Sequence, residues 1–168
     1  AGVGPGAAAA GAAAVTLHAR SALQRYDRRA DWAIIRHWAE ALPLPVFGCG
    51  DLMAPEDVLE MLRQTGCAGA SIARGATGAP WLFRQVRELA ETGSYRPVTP
   101  AERGRVLLEH YAALRRQCGE AGAMRYMQHI GTIYARDLPA ARAAIRAARS
   151  EEDLRQIARR WFAGAESE

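Results

Sequence analysis

Apolar and polar positions follow two rhythms along the first half of the chain. Short unbroken apolar runs, AVTLH at 14–18, VF at 46–47 and AGASIA at 68–73, end in polar or glycine-bearing turns and predict buried strands. Between them the spacing becomes helical. ADWAIIRHWAEAL (30–42) sets Trp32, Ile35, Trp38, Ala39 and Leu42 on one face. A second helix opens at Pro55, with Glu56 and Asp57 on its positive end, and stops near Thr65 before Gly66. A third runs from about Pro80 to Ala90. Residues 19–29 are polar and predict a long loop. The leading AGVGPGAAAAGAAAV lacks a charged n-region, so it predicts a low-complexity leader or coil entering the first strand. Strands alternating with amphipathic helices imply a parallel sheet joined by helical crossovers.

The pattern changes after GSYRPVTP (93–100). Thr99 as N-cap, Pro100 at N1 and Glu102 at N3 predict a capped helix carrying Val106, Leu107, Tyr111 and Leu114. Further helical stretches follow near 120–136 and 140–149, and SEED (150–153) opens a last helix that ends near Phe162. No strand signal follows residue 98. These features divide the chain into an α/β domain over 1–95 and an all-helical domain over 96–168.

Composition adds limits. No apolar run reaches the ~20 residues of a membrane span. The three cysteines, Cys49, Cys67 and Cys118, fit no zinc spacing and read as reduced thiols of a cytoplasmic protein. All 22 basic residues are arginine, which marks a compositional bias and weakens any inference from the +4 charge alone. High pI with arginine is compatible with phosphate-rich partners.

In a parallel sheet the turns after the strands share one face, where α/β proteins bind ligands. Gly48, Gly50, Gly75 and Gly78 leave room for backbone N–H groups to approach a phosphate, and helix N-termini follow both turns. Arg74 offers a guanidinium fork, Asp51 an acceptor for a ribityl or sugar hydroxyl, and His18 ends the first strand on the same face. Each has a plainer alternative. Glycines after strands serve as turns, a strand-ending His is commonly just hydrogen-bonded, and Arg74 can be a solvated residue.

At these residues the chain resembles the tRNA-dihydrouridine synthase family. The stretches GAAAVTLHARSALQRYDRRADW (11–32), PVFGCGDLMAPEDVLEMLRQTGCAGASIARGATGAPWLFRQV (45–86) and LLEHYAALRRQCGEAGAMRYMQHIGTIYARDLPAARAAIR (107–146) carry the resemblance, in order and in spacing. It implies the last three βα units of a (β/α)8 TIM barrel that binds FMN, followed by a helical tRNA-binding domain. It also implies reduction of the C5–C6 bond of uridine in tRNA, with NADPH as reductant and a cysteine as proton donor. FMN contacts are implied at His18, at Cys49, Gly50 and Asp51, and at Ala73 and Arg74. The family's first strands, its catalytic Cys and a flavin-contacting Lys are expected before residue 11, so no catalytic residue falls in this sequence. A (β/α)8 barrel takes about 250 residues, and a missing N-terminal barrel half is the expected partner. Cys49 stands where the family has Asn, Ala19 replaces a Gly, Ala54 a helix-capping Ser, and Ala79 an Asn.

Residues 99–168 hold 12 Arg against 9 acidic residues. Arg142, Arg146 and Arg149 fall at i, i+4 and i+7, one stripe on a predicted helix, and Arg125, His129 and Arg136 extend the candidate RNA surface. Tyr111, Tyr126 and Tyr134 are assigned to the core. Two other readings stay open: a non-catalytic RNA-binding remnant, and a different phosphate-binding barrel enzyme, against which the helical tail argues.

Overall fold

The structure, a computed structural model, describes residues 2–21, 23–24 and 28–163. Part of the long polar loop predicted over 19–29, including Tyr26, therefore lies outside the described residues. The elements are α1 (Val3–Ala9), β1 (Val15–His18), α2 (Trp32–Ala41), β2 (Val46–Cys49), α3 (Pro55–Thr65), β3 (Gly69–Ala70), α4 (Leu82–Thr92), α5 (Pro100–Ile130), a 3-10 turn (Gly131–Ala135), α6 (Pro139–Ala147) and α7 (Glu151–Trp161). Two compact units result: Ala1–Ala76 with Pro80–Arg96, and Thr77–Ala79 with Pro97–Glu168.

The first unit is α/β. Its sheet has the order β1-β2-β3 and both pairings are parallel, with Val15 opposite Val46, His18 opposite Cys49, and Gly48 opposite Ala70. The predicted parallel arrangement is thus present. Ile35 from α2, Val58 and Met61 from α3, and Val46 from β2 are all buried in one core, with Leu17, Trp38 and Val86 packed on it. Gly48 lets the helices meet the strand: a Cβ there would stand 2.5 Å from the Met61 sulfur.

Local chemistry explains the boundaries. Asp31 caps α2 by accepting from the Ala33 N–H at 3.1 Å. Asp57 reaches back from the first turn of α3 and accepts from Met53 and Ala54, at 2.9 and 2.8 Å. Gly66 ends α3 in the left-handed region, φ 64°.

Three predicted elements differ. The leading segment forms helix α1 rather than coil. Its alanines favour helix, and a Cβ on Gly4 would stand 3.0 Å from the Trp38 ring, a close packing that the bare glycine allows. The third strand keeps only Gly69–Ala70 of the predicted 68–73. One more sheet bond, Ser71 N–H to Gly48 O, follows at 2.8 Å. The chain then turns so that Gly75 packs on the Leu52 carbonyl, an approach no side chain would allow. The third helix begins at Leu82, two residues late.

The second unit is helical, with no strand among the described residues. Thr99 caps α5, accepting from Glu102 N–H at 3.1 Å, with Pro100 at its first position. Gly119, φ 71°, breaks α5 where the sequence predicts a helix boundary. Tyr111, Leu107, Met127, Ile145, Leu154 and Phe162 are fully buried around these helices. The Ser150–Asp153 capping box opens α7 as predicted.

Among the described residues, no helix is long and apolar enough to cross a membrane, and no His, Cys, Asp and Glu side chains gather as metal ligands.

Candidate functional site

The strands of the α/β unit end at a small pocket. His18 from the end of β1, the turn Cys49–Met53 after β2, and Ser71 with Ala73–Gly75 after β3 line a space of about 30 Å³. All six residues singled out in the sequence, His18, Cys49, Gly50, Asp51, Ala73 and Arg74, meet here. The glycines also serve packing. A Cβ on Gly50, φ 135°, would lie 2.7 Å from the Ala30 Cβ, and one on Gly78 would lie 2.7 Å from Ile133 in the helical unit.

Asp51 is the hub of this end of the sheet. It is the one non-glycine residue in the left-handed region among the described residues, φ 56°. One terminal nitrogen of Arg20 donates to both its oxygens, at 2.6 and 2.7 Å. Arg74 donates to Oδ1 at 3.1 Å and the Ala30 N–H to Oδ2 at 2.7 Å. Burial alone would push this carboxyl up. The Arg20 and Ala30 hydrogen bonds, with the charges of Arg20 and Arg74, outweigh that and hold it below the usual aspartate range. Burial pushes the Cys49 thiol up despite the same two arginines, so it stands protonated at neutral pH.

The loop returning from β1 is fastened to the same turn. Trp32 Nε1 donates to Gly50 O at 3.0 Å, Arg20 donates to Arg28 O at 2.8 Å, and Ala19 N–H donates to Cys49 O at 2.9 Å. Sequence reasoning left Arg20 in the polar loop. Its side chain is only 3% exposed. The available signal was its position two residues after His18, where an extended chain returns to the same side.

A family model described as Dihydrouridine synthase (Dus) matches residues 4–161. The chain belongs to the dihydrouridine synthase family. It is 42% identical over 134 residues to a "Probable tRNA-dihydrouridine synthase" of Treponema pallidum, covering 76% of this chain and 38% of that protein. A protein of the same name from Mycobacterium tuberculosis is 41% identical over 144 residues, 84% of this chain and 37% of its own. The "tRNA-dihydrouridine synthase B" of Pseudomonas aeruginosa is 36% identical over 135 residues, 79% of this chain and 40% of its own. The chain therefore spans about two fifths of the length of these relatives.

In this family member the helical unit presents a second set of residues. Arg125, Tyr126 and His129 line an open groove of about 550 Å³ with Cys118, Gly122 and Ile130. Arg136, Arg142 and Arg146 do not line it. Arg136 donates to the Thr77 carbonyl at 3.4 Å. Among the described residues Arg125, Arg136, Arg142 and Arg146 make no ion pair, whereas Arg103, Arg105, Arg115, Arg155 and Arg159 each pair with a carboxylate.

Two expectations are corrected here. The stripe Arg142–Arg146–Arg149 does not lie on one helix. α6 ends at Ala147 because Asp153, closing the cap of α7, takes the N–H groups of Arg149 and Ser150 at 2.7 and 3.0 Å. Arg142 is half-buried, its Nε enclosed without a hydrogen-bond partner among the described residues, while Arg146 is exposed. Tyr111 and Tyr134 are in the core as expected, but Tyr126 is 58% exposed. The buried positions of its helix are Ala123, Met124 and Met127, and Tyr126 falls outside that face.

Proposed function

We propose that the chain is the C-terminal part of an FMN-dependent tRNA-dihydrouridine synthase that reduces the C5–C6 bond of uridine in tRNA with NADPH as reductant. Its βα units are read as the last three of a (β/α)8 barrel, in a domain over 1–95, with a tRNA-binding helical domain over 96–168. The observation that carries this is the convergence of His18, the Cys49–Asp51 turn and Ala73–Arg74 on one pocket at the C-terminal ends of parallel strands.

The donor set fits the phosphate end of FMN. Arg74 is half-exposed at the pocket and offers charge-assisted hydrogen bonds, and His18 and Ser71 line the same space. The enclosed volume of about 30 Å³ suits one small group and does not enclose a ring system. Bound FMN would supply the hydride for the uracil ring. The chain's own residues bind and orient. Arg74 offsets phosphate charge, and the protonated Cys49 thiol adds no negative charge beside it. The proton donor is assigned outside these residues. Cys67 is buried with its thiol on the Gly69 carbonyl at 3.2 Å, and Cys118 belongs to the helical unit. Arg125, His129, Arg136, Arg142 and Arg146 are read as the tRNA-facing set, since its four arginines are not committed to carboxylates.

The test is reconstitution. The 168 residues with FMN, NADPH and unmodified tRNA are expected to yield no dihydrouridine. Joined to the N-terminal barrel half of a relative, they should retain a yellow chromophore and form product, and Arg74→Ala should lower FMN retention. A joined protein that binds tRNA but never FMN would leave the RNA-binding remnant as the better reading. Turnover by the 168 residues alone would overturn the placement of the proton donor.

A further inference from the structure

The hydrogen bonds around Asp51 give it a task other than ligand contact. A carboxylate has two oxygens and about four lone-pair sites. Oδ1 accepts from Arg20 and Arg74, and Oδ2 accepts from Arg20 and the Ala30 N–H. All four sites are engaged within the protein, so none is left for a ribityl hydroxyl. Arg20 and Ala30 do not line the pocket, whereas Asp51 and Arg74 do. The chain of contacts runs from a buried guanidinium, through one carboxylate, to a half-exposed guanidinium at the pocket.

Charge follows the same order. Arg20 and Arg74 bring two positive charges to the one carboxylate of Asp51, and Arg74 is the more exposed of the two, 50% against 3%. The left-handed backbone at Asp51, with Gly50 packed on Ala30 and its carbonyl held by Trp32, aims the carboxylate back towards both arginines.

We propose that Asp51 is a positioning residue: anchored by Arg20, it holds Arg74 in the orientation that receives a phosphate monoester. The proposal rests on the phosphate-site reading above and departs from the direct cofactor contact expected at Asp51 from the sequence. Arg20 does not line the pocket and reaches Arg74 through the shared Asp51 carboxylate.

FMN and riboflavin share the ribityl chain and differ in the phosphate, so their affinity ratio isolates the phosphate. Both are titrated by flavin-fluorescence quenching into the unsubstituted chain, Asp51→Asn, Arg74→Ala and the double variant. The unsubstituted chain should prefer FMN. Asp51→Asn should cut that preference about tenfold and leave riboflavin affinity unchanged. The double variant should be no worse than Arg74→Ala alone, because Asp51 acts through Arg74. Arg20→Lys keeps the Asp51 carboxylate and a positive charge but loses the guanidinium nitrogen that reaches both carboxylate oxygens and the Arg28 carbonyl. It should shift the preference the same way, by less, and serves if Asp51→Asn fails to fold. Equal losses for FMN and riboflavin in Asp51→Asn would show direct contact with the ribityl chain and overturn the proposal. So would additive losses in the double variant, or an intact FMN preference in both Asp51→Asn and Arg20→Lys. No FMN preference in the unsubstituted chain would instead overturn the phosphate-site reading itself.

Discussion

In the α/β unit two arginines, Arg20 and Arg74, end on the single carboxylate of Asp51. In the helical unit several arginines, Arg125, Arg136, Arg142 and Arg146 among them, end on no carboxylate among the described residues. The first arrangement is closed: a turn, a returning loop and a buried side chain fix where one cation points. That suits a small anion, whose binding gains from preorganisation. The second is open, with Arg125, Arg136 and Arg146 exposed. Loosely held cations suit an extended polyanion, where affinity comes from the number of phosphates neutralised rather than from one geometry. The same residue type is thus a fixed instrument in one unit and a distributed charge in the other.

The largest effect should come from removing the support of the closed site. Met61 is fully buried beneath Gly48, so Met61→Ala should destabilise the α/β unit by about 2–5 kcal/mol. Denaturant unfolding measures it. A loss of a few tenths would mean that the core under the site collapses easily, and the contrast in rigidity would fail.

The open set is tested by Arg125→Ala with Arg146→Ala. Each lost phosphate contact should lower the log–log salt slope of tRNA binding by about 0.9. Arg142→Ala should change it less, because its Nε is buried. Unchanged affinity and slope in the double variant would return these residues to solvated surface.

A smaller effect is expected at the junction that ends the arginine stripe. Ser150→Ala removes the acceptor for the Asp153 N–H, 3.1 Å away, and should cost about 1 kcal/mol by thermal or urea unfolding. No loss would mean that Asp153 alone suffices to start α7.

The smallest effect is electrostatic and concerns the helical unit's interior. His110 lies 3.2 Å from the Tyr134 hydroxyl, and burial pushes its imidazole below the ordinary 6.5. A histidine that resists protonation when folded contributes stability above 6.5, and that contribution is lost as the pH falls through the lowered value. His110→Gln should flatten the acid limb of the unfolding midpoint. In the α/β unit the corresponding change lies lower. The stabilisation from the depressed Asp51 is present above the ordinary 3.8 and is lost as the pH falls through the lowered value. A steep change near neutrality in the His110 variant would break this assignment.

Much of the site was legible because its residues sit at fixed offsets from strand ends. His18, GCGD and ARG each follow an apolar run, and parallel pairing brings such positions to one edge. Arg20 was not legible. A charged residue in a polar loop looks solvated until the loop is seen folding back onto Gly50 and Asp51. The saturation of Asp51 was hidden for the same reason, since its four hydrogen bonds reach residues 20, 30 and 74. In the helical unit, spacing identified Leu107 and Tyr111 as core, but it did not show that Tyr126 falls off the buried face of its helix.

The sequence by itself determined the order of elements, the parallel sheet, the change to helices after residue 98, the helix caps at Thr99 and Ser150, and which strand ends carry chemistry. These are local properties: periodicity, capping and turn residues act within a few positions of one another. Tertiary structure decided what each charge does. Whether an arginine is buried on Asp51, paired along a helix or left open depends on groups distant in sequence, as for Arg115 and Glu151, 36 residues apart. It also decided where elements stop, because α6 ends where the cap of α7 takes the backbone and β3 ends where Gly75 must reach Leu52. Such contacts close only when distant segments are packed together, so nothing in the local pattern announces them.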